Sequence, residues 1–204
     1  MLRPDRRGLF DVSQVVVVLG RQGSGKGTQC DLLQQRYDRV SHVSTGEMLR
    51  DAAASGTPLG RRAEALMTAG DLVPDDVVCD VVAERLGPLL RSGNTVLLDG
   101  FPRTPAQADA LSEMVGTDGL AGAVLLEVGN EDALERMLVR GRADDTAAGI
   151  ARRLELYETQ TAPLVDWFAV RGLLRRVDGT GAVAEVFDRL SDAVAGLVTL
   201  RLSR

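Results

Sequence analysis

Residues 20–28, Gly-Arg-Gln-Gly-Ser-Gly-Lys-Gly-Thr, hold the densest group of chemistry-bearing residues in the chain. Their glycines let successive backbone N–H groups turn toward one centre, and such a nest of amides binds anions. Lys26 is the only lysine among 24 basic residues; all the others are arginine. A compact ammonium on a flexible stem fits inside a ring of amides, where a planar guanidinium does not. Lys26 is therefore expected on the β/γ-phosphates of a nucleotide, with the Thr28 hydroxyl offered to Mg2+. The apolar run Val15–Leu19 leads into the loop and a helix-like segment, Thr28–Arg36, leaves it. Strand, glycine loop and helix in that order are the setting of a phosphate-binding P-loop, with the positive helix end behind the anion.

Three further groups have weaker signals. Val43-Ser44-Thr45-Gly46-Glu47-Met48-Leu49-Arg50 leaves a short strand and enters a helix, with Thr45 near its N-cap and Arg50 just past its first turn. Val96–Asp99 is an apolar strand ending in an acid, which beside a P-loop can hold Mg2+ through its water shell. The turn Gly100-Phe101-Pro102 then presents Arg103, and Gln107 follows one helical turn later. A side-chain amide carries both donor and acceptor, so Gln107 can read the N6/N7 or N1/N6 edge of adenine. The plain alternative for Arg103 and Gln107 is a solvated helix start. Arg136, Arg140, Arg142, Arg152 and Arg153, with Asp144 and Asp145 between them, read either as a solvated face or as a helical hairpin folded over a phosphate site. His42, the only histidine, reads as a packed, hydrogen-bonded strand residue; no nucleophile–histidine constellation can be built around it.

The bulk properties bound these readings. A length of 204 residues suits one domain, and 45% hydrophobic residues supply a core. A net charge of −5 excludes a nucleic-acid footprint for the molecule as a whole, so the useful positive charge is local. No apolar run approaches a membrane span, and residues 1–14 lack the apolar segment of a signal peptide. Those residues read as a disordered extension. Cys30 and Cys79 fit buried thiols in a reducing, cytoplasmic setting.

The elements that must position these residues follow from periodicity. Strands are expected at Val15–Leu19, His42–Ser44, Thr95–Asp99, Ala123–Val128 and Leu173–Asp178. Helices are expected at Gly25–Arg36, Gly46–Ala54, Leu59–Ala69, Asp75–Leu86, Pro105–Val115, Glu131–Arg140, Ala147–Arg171 and Ala182–Leu200. Pro163 should kink or break the penultimate one. This alternation predicts a parallel sheet covered on both faces, with ligands beyond the carboxyl ends of its strands.

In combination these motifs resemble the adenylate kinases. The resemblance rests on Gly20–Gln29, Ser44-Thr45-Gly46 with Arg50, Asp71-Leu72-Val73-Pro74, Asp99–Arg103 with Gln107, and Gly141-Arg142-Ala143-Asp144-Asp145, and it runs from about Val15 to the C-terminal helix. It implies an α/β fold of P-loop type, a three-layer α/β/α sandwich with a five-stranded parallel sheet. The kinase domain would span 15–204, with an AMP-binding flap at 44–73 and a very short lid at 140–146. Longer family members carry a sizeable lid, in some of them with four cysteines that bind zinc; this region is short and has no cysteine, so zinc is not expected. By resemblance Gly23, Ser24, Gly25, Lys26, Gly27, Thr28 and Arg140 would hold the ATP phosphates, with the backbone near Gly181 facing the adenine. Thr45, Arg50, Asp71, Leu72, Val73, Gly100, Phe101, Pro102, Arg103 and Gln107 would hold AMP. Arg142 and Arg153 would bridge to the AMP phosphate and the transferring group. The catalytic set is then Lys26, Arg103, Arg140, Arg142 and Arg153, and the Mg2+ set is Thr28 and Asp99, partly through water. The family usually has proline where Gln22 stands, which should loosen the loop and alter affinity without removing a phosphate donor.

The implied reaction is Mg-dependent transfer of the γ-phosphoryl of ATP to AMP by a monomer, with neither nucleic acid nor membrane as partner. The nearest alternative acts on UMP or CMP; that family has alanine in place of Thr45 and asparagine in place of Gln107. A non-catalytic nucleotide-binding regulatory protein is the alternative from another class, favoured only by Gln22 and the N-terminal extension.

Overall fold

The computed structural model describes residues 13–54, 61, 65–66, 73–116, 118–140 and 146–202. Within them, five strands form one sheet: β1 (Gln14–Leu19), β3 (Val40–Ser44), β4 (Thr95–Asp99), β5 (Leu120–Glu127) and β6 (Leu174–Asp178). The sheet is wholly parallel, in the order β3-β4-β1-β5-β6. The chain passes from β1 to β3 and β4 on one side, then crosses to β5 on the other. A crevice therefore opens at the carboxyl end of β1, where the order reverses. Register brings Val18 and Ser44 level with Asp99, so three strands finish at one height around that crevice.

Alternation along β1 divides the core. Val15, Val17 and Leu19 pack with Leu111, Leu164 and Phe168, whereas Val16 and Val18 pack with Cys30, Leu33, Val186 and Leu190 on the opposite face. On the first face lie α3 (Asp75–Arg91), α4 (Pro105–Val115) and α7 (Pro163–Ala169); on the second lie α1 (Lys26–Arg36) and α8 (Val183–Ala195). A strand buried on both sides needs the unbroken β-branched run seen at 15–18. Three further described helices are α2 (Thr45–Ala54) after β3, α5 (Asn130–Arg140) after β5, and α6 (Ala147–Leu156). No described helix is long and apolar enough to cross a membrane.

Several boundaries differ from expectation, among them the starts of β3 at Val40 and β5 at Leu120, two and three residues earlier than the pattern places them. Helix α3 continues past Leu86, through Pro88, to Arg91. Leu89 and Leu90 pack on the core there, and that burial outweighs the single hydrogen bond a helical proline forfeits. Helix α8 ends at Ala195 rather than Leu200. Leu197, Val198 and Leu200 still pack on the core, so burial prolongs the apolar pattern after the helix has stopped. The chain then closes a two-residue antiparallel bridge, β2 (Tyr37–Asp38) with β7 (Arg201–Leu202), too short to leave a pattern in the sequence. As Pro163 leads one to expect, the long stretch from Ala147 breaks: α6 gives way to a wide turn at Tyr157–Thr161, and α7 begins at Pro163. The helix expected at Leu59–Ala69 lies outside the described residues apart from Arg61, Ala65 and Leu66.

Candidate functional site

A cleft of about 800 Å³ opens at the carboxyl ends of β1, β3 and β4. Its floor is the loop between β1 and α1. Gly20, Gly23 and Gly25 all have positive φ there, at 144°, 82° and 96°. At Gly23 the requirement is absolute, because a Cβ would stand 2.2 Å from the Ala133 carbonyl oxygen on α5. Lys26 opens α1 and folds back over the loop, donating to the Gly20 carbonyl at 2.8 Å and the Arg21 carbonyl at 3.0 Å. Burial lowers its pKa from the ordinary 10.5; Asp99 opposes that shift, while Arg103 and Arg140 add to it. The Ser24 hydroxyl is buried in the loop with no hydrogen-bond partner, as suits a group that awaits a phosphate oxygen.

At the loop entrance Arg21 reaches Glu158 at 3.0 Å and lies over the Tyr157 ring at 5.3 Å. The position before Gln22 thus tethers the loop to the turn between α6 and α7, a restraint that the sequence alone does not suggest. Gln22 turns its Oε1 into the interior without a partner.

The facing wall grows from the end of β4. Gly100 has φ 83°, and a Cβ there would meet the Thr45 hydroxyl at 2.7 Å. Thr45 donates that hydroxyl to the Asp99 carbonyl at 3.2 Å, while Ser44 accepts the Glu47 N–H at 3.4 Å and so caps α2. Arg103 turns back and donates its Nε to the Gly100 carbonyl at 2.8 Å. Burial pushes its pKa below the ordinary 12.5, Asp99 raises it, and Arg153 and Arg50 push it down further. Arg103 thus shares its surroundings with two other guanidinium groups from α6 and α2. Phe101 is 1% exposed and sits in the core beneath the turn, so only its backbone faces the wall.

Gln107, 2% exposed, lines the cleft from α4. Thr104 caps that helix by accepting the Gln107 N–H at 3.2 Å. The side-chain Oε1 of Gln107 accepts the Arg103 N–H at 2.7 Å, and its Nε2 donates to Asp75 Oδ1 at 2.6 Å. Asp75, at the start of α3, carried no signal in the sequence. Only the packing of α3 beside α4 brings it to the amide.

Gly27, Thr28, Val73, Pro102, Arg140, Arg153 and Gly181 also line the cleft. Arg136, read before only as part of the arginine group, donates to the Ser24 carbonyl at 3.3 Å and the Gly179 carbonyl at 3.1 Å. It therefore clasps the phosphate loop to the segment after β6. Asp71, Leu72, Gly141, Arg142, Asp144 and Asp145 lie outside the described residues. His42 is packed as expected, its Nδ1 2.8 Å from Asp31 and its Nε2 3.9 Å from Asp99 Oδ2. Asp99 Oδ2 also faces the loop, 3.7 Å from where a Cβ on Gly27 would stand.

A glycine loop closed over a half-buried lysine, opposite a wall of arginines at the same sheet edge, defines a P-loop phosphotransferase acting on nucleotides. Comparison with known proteins narrows the class. Residues 18–173 match the family model described as adenylate kinase. An adenylate kinase of Thermus thermophilus is 45% identical over 191 residues, covering 91% of this chain and 99% of that protein. Those of Synechococcus sp. strain WH7803 and Xanthomonas euvesicatoria pv. vesicatoria are 44% and 42% identical, over 90% and 88% of this chain and 100% and 98% of those proteins. The chain belongs to the adenylate kinase family, and it is a nucleoside monophosphate kinase.

Proposed function

We propose that the cleft binds ATP at the glycine loop and AMP at the β4 wall, and passes the γ-phosphoryl group directly between them to give two ADP. The observation that carries this reading is the mutual proximity of like charges: Lys26 and Arg103 each lose basicity to burial and to neighbouring arginines, at a point where the backbone offers further donors. Desolvated cations that crowd one another are stabilised by an anion, and here two polyanions would offset them.

Gly23 to Thr28 supply amides to the ATP phosphates, Lys26 reaches the β/γ-phosphates, and Arg140 closes from the end of α5. On the acceptor side Arg50, Arg103 and Arg153 take the AMP phosphate, Thr45 and Gln107 contact the nucleoside, and by family resemblance Asp71 to Val73 would also bind AMP. By family resemblance, 140–146 with Arg142 would serve as the lid and 44–73 as the flap. The acceptor oxygen is already ionised at neutral pH, so no general base is needed. Positioning and charge stabilisation carry the reaction, and in related transfers one arginine contributes roughly 10³–10⁵ in rate. Closure of flap and lid would exclude water and prevent hydrolysis.

The loop-facing carboxylate of Asp99 and the exposed hydroxyl of Thr28 fit a hydrated Mg2+ carried in with ATP. When bound, that ion neutralises charge on the β- and γ-phosphates. The two free thiols, one of them buried, suit a reducing compartment such as the cytoplasm.

Steady-state rates with ATP–Mg2+ against AMP, GMP, UMP and CMP test the assignment. The expected order has AMP well ahead. Faster turnover of UMP or CMP would overturn it.

A further inference from the structure

Gln107 is held by two partners of fixed character. A backbone N–H can only donate, and a carboxylate oxygen accepts. The Arg103 N–H is 2.7 Å from Gln107 Oε1, and Asp75 Oδ1 is 2.6 Å from Gln107 Nε2. Exchanging the two ends of the amide would set carbonyl oxygen against carboxylate and NH2 against N–H. At a residue 2% exposed, neither clash is relieved by water. Asp75 is itself braced, because its Oδ2 accepts the Thr104 hydroxyl at 3.1 Å and that hydroxyl oxygen in turn accepts the Gln107 N–H. Asp75, Thr104 and Gln107 thus close a ring of hydrogen bonds across α3 and α4.

A primary amide has two lone pairs on oxygen and two N–H bonds, so each end of Gln107 keeps one unused valence. The order of those valences is fixed: an acceptor at Oε1 and a donor at Nε2. A 6-aminopurine complements that order, with its exocyclic N–H facing the oxygen and a ring nitrogen facing the N–H. A 6-oxopurine opposes the Oε1 acceptor with another acceptor on either edge, and on its N1 edge opposes donor with donor. An amide free to rotate by a half turn would accommodate both bases.

We propose that Asp75 is a specificity-determining positioning residue: by fixing the polarity of the Gln107 amide, it makes the acceptor pocket favour 6-aminopurine over 6-oxopurine nucleotides. This rests on the reading above that Gln107 contacts the acceptor base. Asp75 itself touches no substrate.

AMP and IMP differ only at position 6 and the adjoining N1 proton, so the ratio of their kcat/KM values isolates this effect. Asp75→Asn replaces a group that only accepts with one that also donates. The ratio should fall roughly tenfold, through a higher KM for AMP and a lower KM for IMP, with KM for ATP unchanged. Should that variant not fold, Asp75→Ala reads the same ratio. In a Gln107→Ala background, which should by itself abolish most of the discrimination, either change should have no further effect. An unchanged ratio in Asp75→Asn, or a fall that persists without Gln107, overturns the role of Asp75. Full discrimination in Gln107→Ala alone overturns the base-reading role of Gln107, and the proposal with it.

Discussion

At the end of β1 the loop of residues 20–25 takes its shape from the backbone, whereas at the end of β4 residues 100–107 are held by side chains. On the first wall, positive φ values and main-chain carbonyls set the path of the loop, and the Arg21 and Arg136 side chains only tether it to its surroundings; even Lys26 is anchored on two carbonyl oxygens. On the second, Thr45, Arg103, Thr104, Gln107 and Asp75 come from three separate segments and brace one another. The difference matches what each wall must recognise. Phosphate oxygens are alike, so a ring of amides serves any triphosphate. A nucleobase has edges of fixed polarity, and only oriented side chains can read them.

The largest expected effects fall on the cations of the two walls. Lys26→Ala and Arg103→Ala should each lower kcat/KM on the order of 10³-fold or more while the protein melts as before. Product inhibition patterns would then separate the walls, with Lys26→Ala weakening ATP and Arg103→Ala weakening AMP. Near wild-type turnover in either variant would remove that residue from the site.

Stability sharpens the contrast next. Gly23→Ala forces a Cβ to within 2.2 Å of the Ala133 carbonyl at φ 82°, so the loop or α5 must shift. Gly116→Ala has φ 75° but nothing within 4 Å, and should cost only the backbone strain of about 1–2 kcal/mol. Urea denaturation should rank Gly23→Ala as clearly the more damaging of the pair. Equal losses would mean that conformation alone, and not close approach, shapes the first wall.

A pH profile tests the electrostatics of the same wall. Burial lowers the Lys26 pKa from 10.5, so between that lowered value and 10.5 the unfolded chain binds the extra proton. Stability contributed by this group therefore rises with pH through that window. Activity moves the other way, because the neutral amine loses its hold on phosphate. The alkaline limb of kcat/KM for ATP should have its midpoint below 10.5; a flat profile up to that pH would contradict a desolvated, phosphate-binding lysine.

The smallest effect is expected at Thr104. Thr104→Ala removes the cap of α4 and one brace of Asp75, and should cost about 0.5–2 kcal/mol in thermal or chemical denaturation. A loss limited to stability, with AMP over IMP discrimination intact, would show that Asp75 holds the amide without Thr104.

Much of the first wall was legible in the sequence. Val15–Leu19, the glycine spacing and the lone lysine lie within about fifteen residues, and their chemistry is local. Strand β4 and helix α4 were legible to the residue, because Asp99 ends an apolar run and Thr104-Pro105 is a helix start in itself. The second wall was legible only in part. Arg103 and Gln107 stood out by spacing, but the partner that orients Gln107 lies 32 residues away in another helix. Arg136 looked like any member of a charged helix face until α5 packed against the phosphate loop. The end of α8 was hidden for a related reason: burial of Leu197 and Val198 resembles helical periodicity whether or not the backbone is helical.

By itself the sequence determined the sheet, the anion loop and the family, since periodicity, glycine placement and short motifs act over a few residues and need no knowledge of what lies across the fold. Only the tertiary structure decided that α2, the turn before α4 and α6 would bring Arg50, Arg103 and Arg153 to one point, and that Asp75 would face Gln107. Those encounters depend on how helices pack over a common sheet, and the energies that fix that packing come from residues far apart in the chain.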